Sequence, residues 1–235
     1  MNESDRKERI RQNYLSVVDE VAVAAQASGR QPSDVTIVGV TKYVDAATTA
    51  DLVDAGCGSL GENRPQVLWQ KAESEELKDQ PVQWHMIGHL QRNKLRRLMR
   101  YAPMIHSVDS RRLLEAVAKE AGEIDQAVDV LLEVNISGDD AKTGLSPDAL
   151  LELLQEDRGP LVRIGGLMAM AGMGTDQGAA RKQFADVRML RDKLAASTGN
   201  PLANLSMGMS GDFKEAIAEG ATLVRIGSRL FDGVL

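Results

Sequence analysis

The sequence predicts an α/β fold, a single-domain (β/α)8 TIM barrel, on three observations. Strand-like apolar runs alternate with amphipathic helical stretches along nearly the whole chain. The alternation repeats eight times. Many of the runs are almost continuously apolar, the pattern of parallel strands covered by helices. Eight units in 235 residues favour closure over an open doubly wound sheet, in a compact version of a fold that typically takes about 250 residues. One domain is expected over 1–235, with an additional N-terminal helix at about 3–27.

That helix rests on Ile10, Tyr14, Val17, Val18 and Val21 at three- and four-residue steps, ended by GRQP at 29–32. VTIVGVTK (35–42) reads as the first strand and ATTADLVDAG (47–56) as its helix. SLGEN (59–63) and QVLWQKAESEEL (66–77) form the second pair, and VQWHMIG (82–88) and the basic RNKLRRLMRY (92–101) the third. MIHSVD (104–109) leads into SRRLLEAVAKEAG (110–122). AVDVLLEVNI (127–136) precedes the helix SPDALLELLQ (146–155), which Ser146 caps and Pro147 opens. VRIGGLMAMA (162–171) is the sixth strand, followed by a long helix at 177–197. NLSMGM (204–209) with GDFKEAIAEG (211–220), and the strand ATLVRIGSRLF (221–231), complete the set.

Composition narrows the function classes. A net charge of -6 argues against a general nucleic-acid binder. One cysteine, Cys57, excludes an intrachain disulfide and a cysteine-rich metal site. The charged N-terminus lacks a signal-peptide core, and no apolar run reaches membrane-spanning length, so the expectation is a soluble, cytoplasmic protein.

Barrel chemistry sits at the C-terminal ends of strands. Lys42 stands there, readable as a solvated strand end or as a nucleophile, with Thr41 and Tyr43 expected to point away from its face. LSMGMSGDFKEAIAEG (205–220) ends a strand in small residues and opens a helix at Ser210–Gly211, a ready anion site. Gly227 and Ser228 in VRIGS (224–228) end the next strand, so two weak phosphate signals adjoin. The alternative is that Ser210 and Asp212 only cap a helix. Arg225 is a donor or fixed charge. Asn63 in GENR enters the mouth or closes a turn, with Glu62 and Arg64 readable as a surface pair. His85 and His89 give a weak metal signal. Lys142 is a second mouth amine or a loop lysine, while Met168 and Cys57 read first as core.

Taken together, VGVTKY, GENR, WHMIGHLQRNK, IHSVDS, EVNISGDDAKTGL, GLMAMA, LSMGMSGDFKEAI and VRIGSRLF closely resemble the pyridoxal phosphate homeostasis protein family, relatives of the alanine racemase N-terminal barrel. The likeness runs from about residue 10 to residue 233. It implies that Lys42 holds pyridoxal 5'-phosphate as a reversible Schiff base. Phosphate contacts then fall to Ser210, Gly227 and Ser228, and Arg225 faces the pyridine nitrogen. Asn63, Met168 and Met207 match pocket positions, and Lys142 matches a lysine implicated in cofactor transfer. The implied job is buffering or delivering the cofactor, with pyridoxal phosphate-dependent apoenzymes as partners and a monomer favoured.

Two alternatives stand beside it. A pyridoxal phosphate-dependent racemase shares the lysine chemistry, but the racemases' second, mainly β domain is not expected after Leu235, and neither Tyr43 nor Tyr101 is an evident acid–base substitute. A barrel scaffold would bind RNA or protein through the basic helix 92–100. Two departures from the family pattern are Pro65, just after Asn63, and Asp232, between Phe231 and Gly233.

Overall fold

The computed structural model describes residues 2–135, 143–172 and 174–235. Eight parallel strands close into a barrel in chain order, with the last hydrogen-bonded to the first. They are β1 (Thr36–Val40), β2 (Ser59–Glu62), β3 (Gln83–Met86), β4 (Met104–Val108), β5 (Val128–Glu133), β6 (Val162–Met168), β7 (Asn204–Met209) and β8 (Leu223–Ile226). The helices are α1 (Glu3–Ala27), α2 (Ala46–Asp54), α3 (Pro65–Ala72), α4 (Leu95–Met99), α5 (Arg111–Ile124), α6 (Pro147–Gln155), α7 (Gln177–Thr198) and α8 (Phe213–Ala218).

Strand faces follow from packing. A side chain at position 39 of β1 would meet Leu52 and Cys57, so that position faces α2. Val38 therefore faces the inside, where it clusters with Leu131, Met168 and Leu223. Most of the other buried apolar residues, among them Leu60, Val108, Leu114, Phe184 and Phe213, form one large core. Cys57 belongs to it, and burial pushes its thiol up to about 11.

Helix starts are set by local chemistry. Asn2, Asp45, Ser110, Ser146 and Asp176 each accept a backbone N–H of the first turn. Pro65 occupies the first turn of α3 and leaves Arg64 extended, so this departure from the family pattern suits a helix start. Among the described residues no helix is long and apolar enough to cross a membrane.

Several expected boundaries shift. The first strand ends at Val40, so Lys42 lies in the following turn. The expected helix 66–77 stops at Ala72, and 92–101 divides into a 3-10 turn at Arg92–Lys94 and the short α4. The sixth strand ends at Met168. The eighth ends at Ile226, because Gly227 (φ -124, ψ -78) leaves extended geometry and Ser228–Phe231 winds into a 3-10 turn.

α1 crosses the outside of the barrel, packing on α2, α8 and the C-terminal 3-10 turn. Ile10, Val17, Val21 and Ala25 form its buried stripe. Arg6 pairs with Asp51 at 2.6 Å, and Asn13 donates to the carbonyls of Leu230 and Asp232 at 3.2 and 3.0 Å. Glu20 pairs with Lys214 at 2.7 Å and with Arg229.

Candidate functional site

The barrel order decides what flanks the Lys42 turn. Gly39 of β1 registers with Ile226 of β8, and Val40 with Gly61 of β2. The chain beyond β1 is therefore flanked by Gly227–Ser228 on one side and Asn63 on the other. Lys42 is exposed, with Nζ 4.8 Å from the centroid of the Tyr43 ring. Tyr43 was expected to point away; once the strand stops at Val40, alternation no longer governs it. Thr41 does point away and is buried.

The two halves of the expected anion site meet. Ser210 Oγ accepts the Gly227 N–H at 3.2 Å. Just before Ser210 the register of β7 on β8 shifts between Ser206 and Met209, with Gly208 at φ +89 and no room for a side chain against Ala216 and Phe213. Asp212 stands at the start of α8 without a side-chain cap; its Oδ1 accepts the Met209 N–H at 2.6 Å instead. Ser228 is exposed at the rim.

Arg225 is buried in β8 beside Val38. It donates to the Ser206 carbonyl at 2.8 Å, to Ser206 Oγ at 2.6 Å and to the Ala169 carbonyl at 3.0 Å. Burial lowers its pKa to about 10, which still leaves it cationic at neutral pH. His106 Nδ1 lies 2.8 Å from Ser206 Oγ, and His106 Nε2 lies 2.9 Å from His85 Nδ1. A guanidinium only donates, so Ser206 Oγ accepts from Arg225, and the buried His106 and His85 rings continue this chain of polar contacts through the barrel interior. Burial holds His85 down to about 4 and His106 well below the ordinary imidazole value, with His85 and Arg225 adding to the effect on His106.

His85 thus turns inward to His106, while His89 is exposed and contacts Asp109 at 3.2 Å. Among the described residues no group of three or more His, Cys, Asp or Glu side chains is placed to hold a metal ion. Asn63 is half-buried and backed by Gly88, where a side chain would come within 2.4 Å of the Asn63 carbonyl. Met168 packs in the inner cluster, and Met207 is fully buried in the main core. Lys142 lies outside the described residues.

Two groups were not legible as site residues. Glu62 is fully buried and pairs with Lys71 at 2.6 Å, not with Arg64 at the surface. The clue was Lys71 itself, a cation on the stripe where Leu68 and Trp69 are buried. Glu133 is also buried; desolvation raises its pKa, and Thr143 donates to it at 3.0 Å. Of the basic helix, Arg96 pairs with Glu120 and Glu123, and Arg97 pairs with Glu73 while lying 4.5 Å from the centroid of the Trp69 ring.

The donor set fits a phosphorylated aldehyde. The exposed Lys42 turn follows the strand that pairs with β8, whose end carries the Ser228 hydroxyl and the Gly227 N–H bonded to Ser210 Oγ, and Arg225 has five N–H donors for three acceptors. Comparison with known proteins agrees. Residues 16–233 match the family model of the alanine racemase N-terminal domain. The pyridoxal phosphate homeostasis protein of Aquifex aeolicus is 38% identical, over 92% of this chain and 94% of that one. The protein of that name from Pseudomonas aeruginosa is 36% identical over 94% of each. Among solved structures, PipY of Synechococcus elongatus with PLP bound has a TM-score of 0.78 and 35% identity, covering 90% of this chain and 99% of its own. Alanine racemase from Streptomyces coelicolor, 18% identical with a TM-score of 0.73, covers 96% of this chain and 58% of its own, and shares the fold.

Proposed function

The chain belongs to the pyridoxal phosphate homeostasis protein family, and from that premise we propose that it binds pyridoxal 5'-phosphate and holds it reversibly for buffering or delivery. The single observation that carries the reading is the junction of β8, β1 and β2. It sets the Lys42 turn between Asn63 and the Ser210–Gly227 contact.

When bound, pyridoxal phosphate supplies an aldehyde that an amine can capture and release. Each residue of the chain has a separate task. Lys42 presents the amine. The Ser210 and Ser228 hydroxyls would donate to the phosphate, joined by the Gly227 N–H on exchanging its present acceptor, Ser210 Oγ, for a phosphate oxygen. Asn63, seated against Gly88, bounds the mouth, and Met168 and Met207 back the pocket through the core. Lys142 is assigned a part in transfer. Arg225 stays cationic and cannot accept a proton. Facing a ring nitrogen, Arg225 would disfavour its protonation, weakening the ring as an electron sink and favouring holding over carbanion chemistry. The homeostasis name shared by close relatives supports a carrier, not an independent enzyme.

The reading extends to one cofactor-binding domain over 1–235, acting as a monomer in the cytoplasm, with apoenzymes as acceptors. Paired charges on Arg96 and Arg97 disfavour nucleic acid. The deciding test is borohydride reduction of the cofactor-loaded protein followed by peptide mass analysis. The label is expected on Lys42; loaded protein labelled elsewhere or not at all overturns the assignment. Lys142→Ala should alter release or transfer kinetics while occupancy remains high.

A further inference from the structure

Stability does not account for the buried pair of Glu62 and Lys71. Glu62 has 0% and Lys71 4% of its surface exposed. The ammonium donates to Glu62 Oε1 at 2.6 Å and to the Thr41 carbonyl at 2.7 Å. Thr41 Oγ1 donates to the same carboxylate oxygen at 2.6 Å. The second oxygen, Oε2, is buried without a hydrogen-bond partner among the described residues. Taking both charges out of water is offset only when every lone pair and proton is satisfied, and here one oxygen is not. An apolar pair of similar volume would secure α3 against the barrel as well or better.

What the pair grips is more informative. The Thr41 carbonyl belongs to the peptide that joins Thr41 to Lys42. It accepts from Lys71 and, at 3.0 Å, from the Val44 N–H, which closes the turn holding Lys42. The Thr41 N–H donates to the Gly61 carbonyl at 3.1 Å, and Glu62 directly precedes Asn63. One buried ion pair therefore fastens two adjoining strand ends from the helix side. The long stem of Lys42 needs such a fixed base if its amine is to meet an aldehyde in one geometry.

We propose that Glu62 and Lys71 are positioning residues that clamp the Lys42 turn and set the approach of its amine to the phosphorylated aldehyde without touching it. The proposal rests on Lys42 being the amine that holds the cofactor.

The test separates binding from capture. Removing one charge would strand the other, so the main variant is the double substitution Lys71→Met with Glu62→Gln. Two probes are used. Deoxypyridoxine phosphate, which lacks the aldehyde, reports binding, and pyridoxal phosphate with timed borohydride quenching and mass analysis reports capture at Lys42. We expect analogue affinity within about threefold of wild type and a capture rate lower by about tenfold or more. If the double variant does not fold, Glu62→Gln alone, which keeps the shape, carries the comparison with a fall of about threefold expected. Unchanged capture in a folded variant, or affinity and capture falling together, overturns the clamp alone. Absence of label on wild-type Lys42 overturns the parent reading and the clamp with it.

Discussion

His85 and His106 make the acid limb of stability a property of the barrel interior. Imidazoles ordinarily titrate near about 6.5, whereas burial holds His85 down to about 4 in the folded protein and His106 lower than usual. Above about pH 6.5 neither state takes up protons here, so these groups leave stability unchanged. Between about 6.5 and 4 the unfolded chain is protonated and the folded one is not, so stability falls with pH. The fall from His85 is about 3 kcal/mol across that window. Urea midpoints at pH 7 and 4.5 should differ clearly in wild type and much less in a His85→Leu, His106→Leu double variant. Cys57 gives a second check. A thiol raised to about 11 holds about a hundredfold less thiolate near pH 8 than its ordinary value allows, so Ellman's reagent should react slowly until the protein unfolds. At this scale Lys42 is conspicuous in the sequence as a cation ending an apolar run, and the structure puts it in the exposed turn just after β1. It could not show the relay from Arg225 to His85. Ser206 meets His106 only when β7 and β4 face each other across the barrel.

Elements were legible where periodicity is long, as in α1 and α7, and less so where composition continues past the backbone's turning point. ATLVRIGSRLF is apolar enough to read as one strand, yet Gly227 breaks it where its N–H leaves the sheet and donates to Ser210 Oγ. GENR hid the burial of Glu62 because a strand covered on both faces has no polar side to mark direction. Loop contact is equally decisive between β2 and β3. Adding a methyl at Gly88 would force its Cβ to within 2.4 Å of the Asn63 carbonyl, so the two strand ends must separate. Gly88→Ala should destabilise by about 1–3 kcal/mol in urea denaturation and weaken cofactor affinity, since Asn63 moves with the loop.

On the scale of the whole molecule, α1 lies across the closure of the barrel. Its 25 residues reach roughly 37 Å and join α2, which follows β1, to α8 and the turn after β8. Glu20 is central to that hold. Arg229 and then Lys214 keep its carboxylate down to about 2, so its contribution is present above the ordinary carboxylate range and lost as pH falls toward about 2. Because the group is partly exposed, Glu20→Gln should cost only about 1 kcal/mol, read as a lower melting temperature whose difference from wild type shrinks in salt. The seam beneath α1 also orders events in time. Lys42 follows the first strand, whereas Arg225, Gly227 and Ser228 come with the last, and the two ends become neighbours only when β8 pairs with β1. That pairing is the most distant in sequence and the slowest kind to form. During synthesis the proposed amine therefore emerges long before the residues proposed to seat a phosphate beside it. Firm retention of the cofactor becomes a signal that the chain has finished folding.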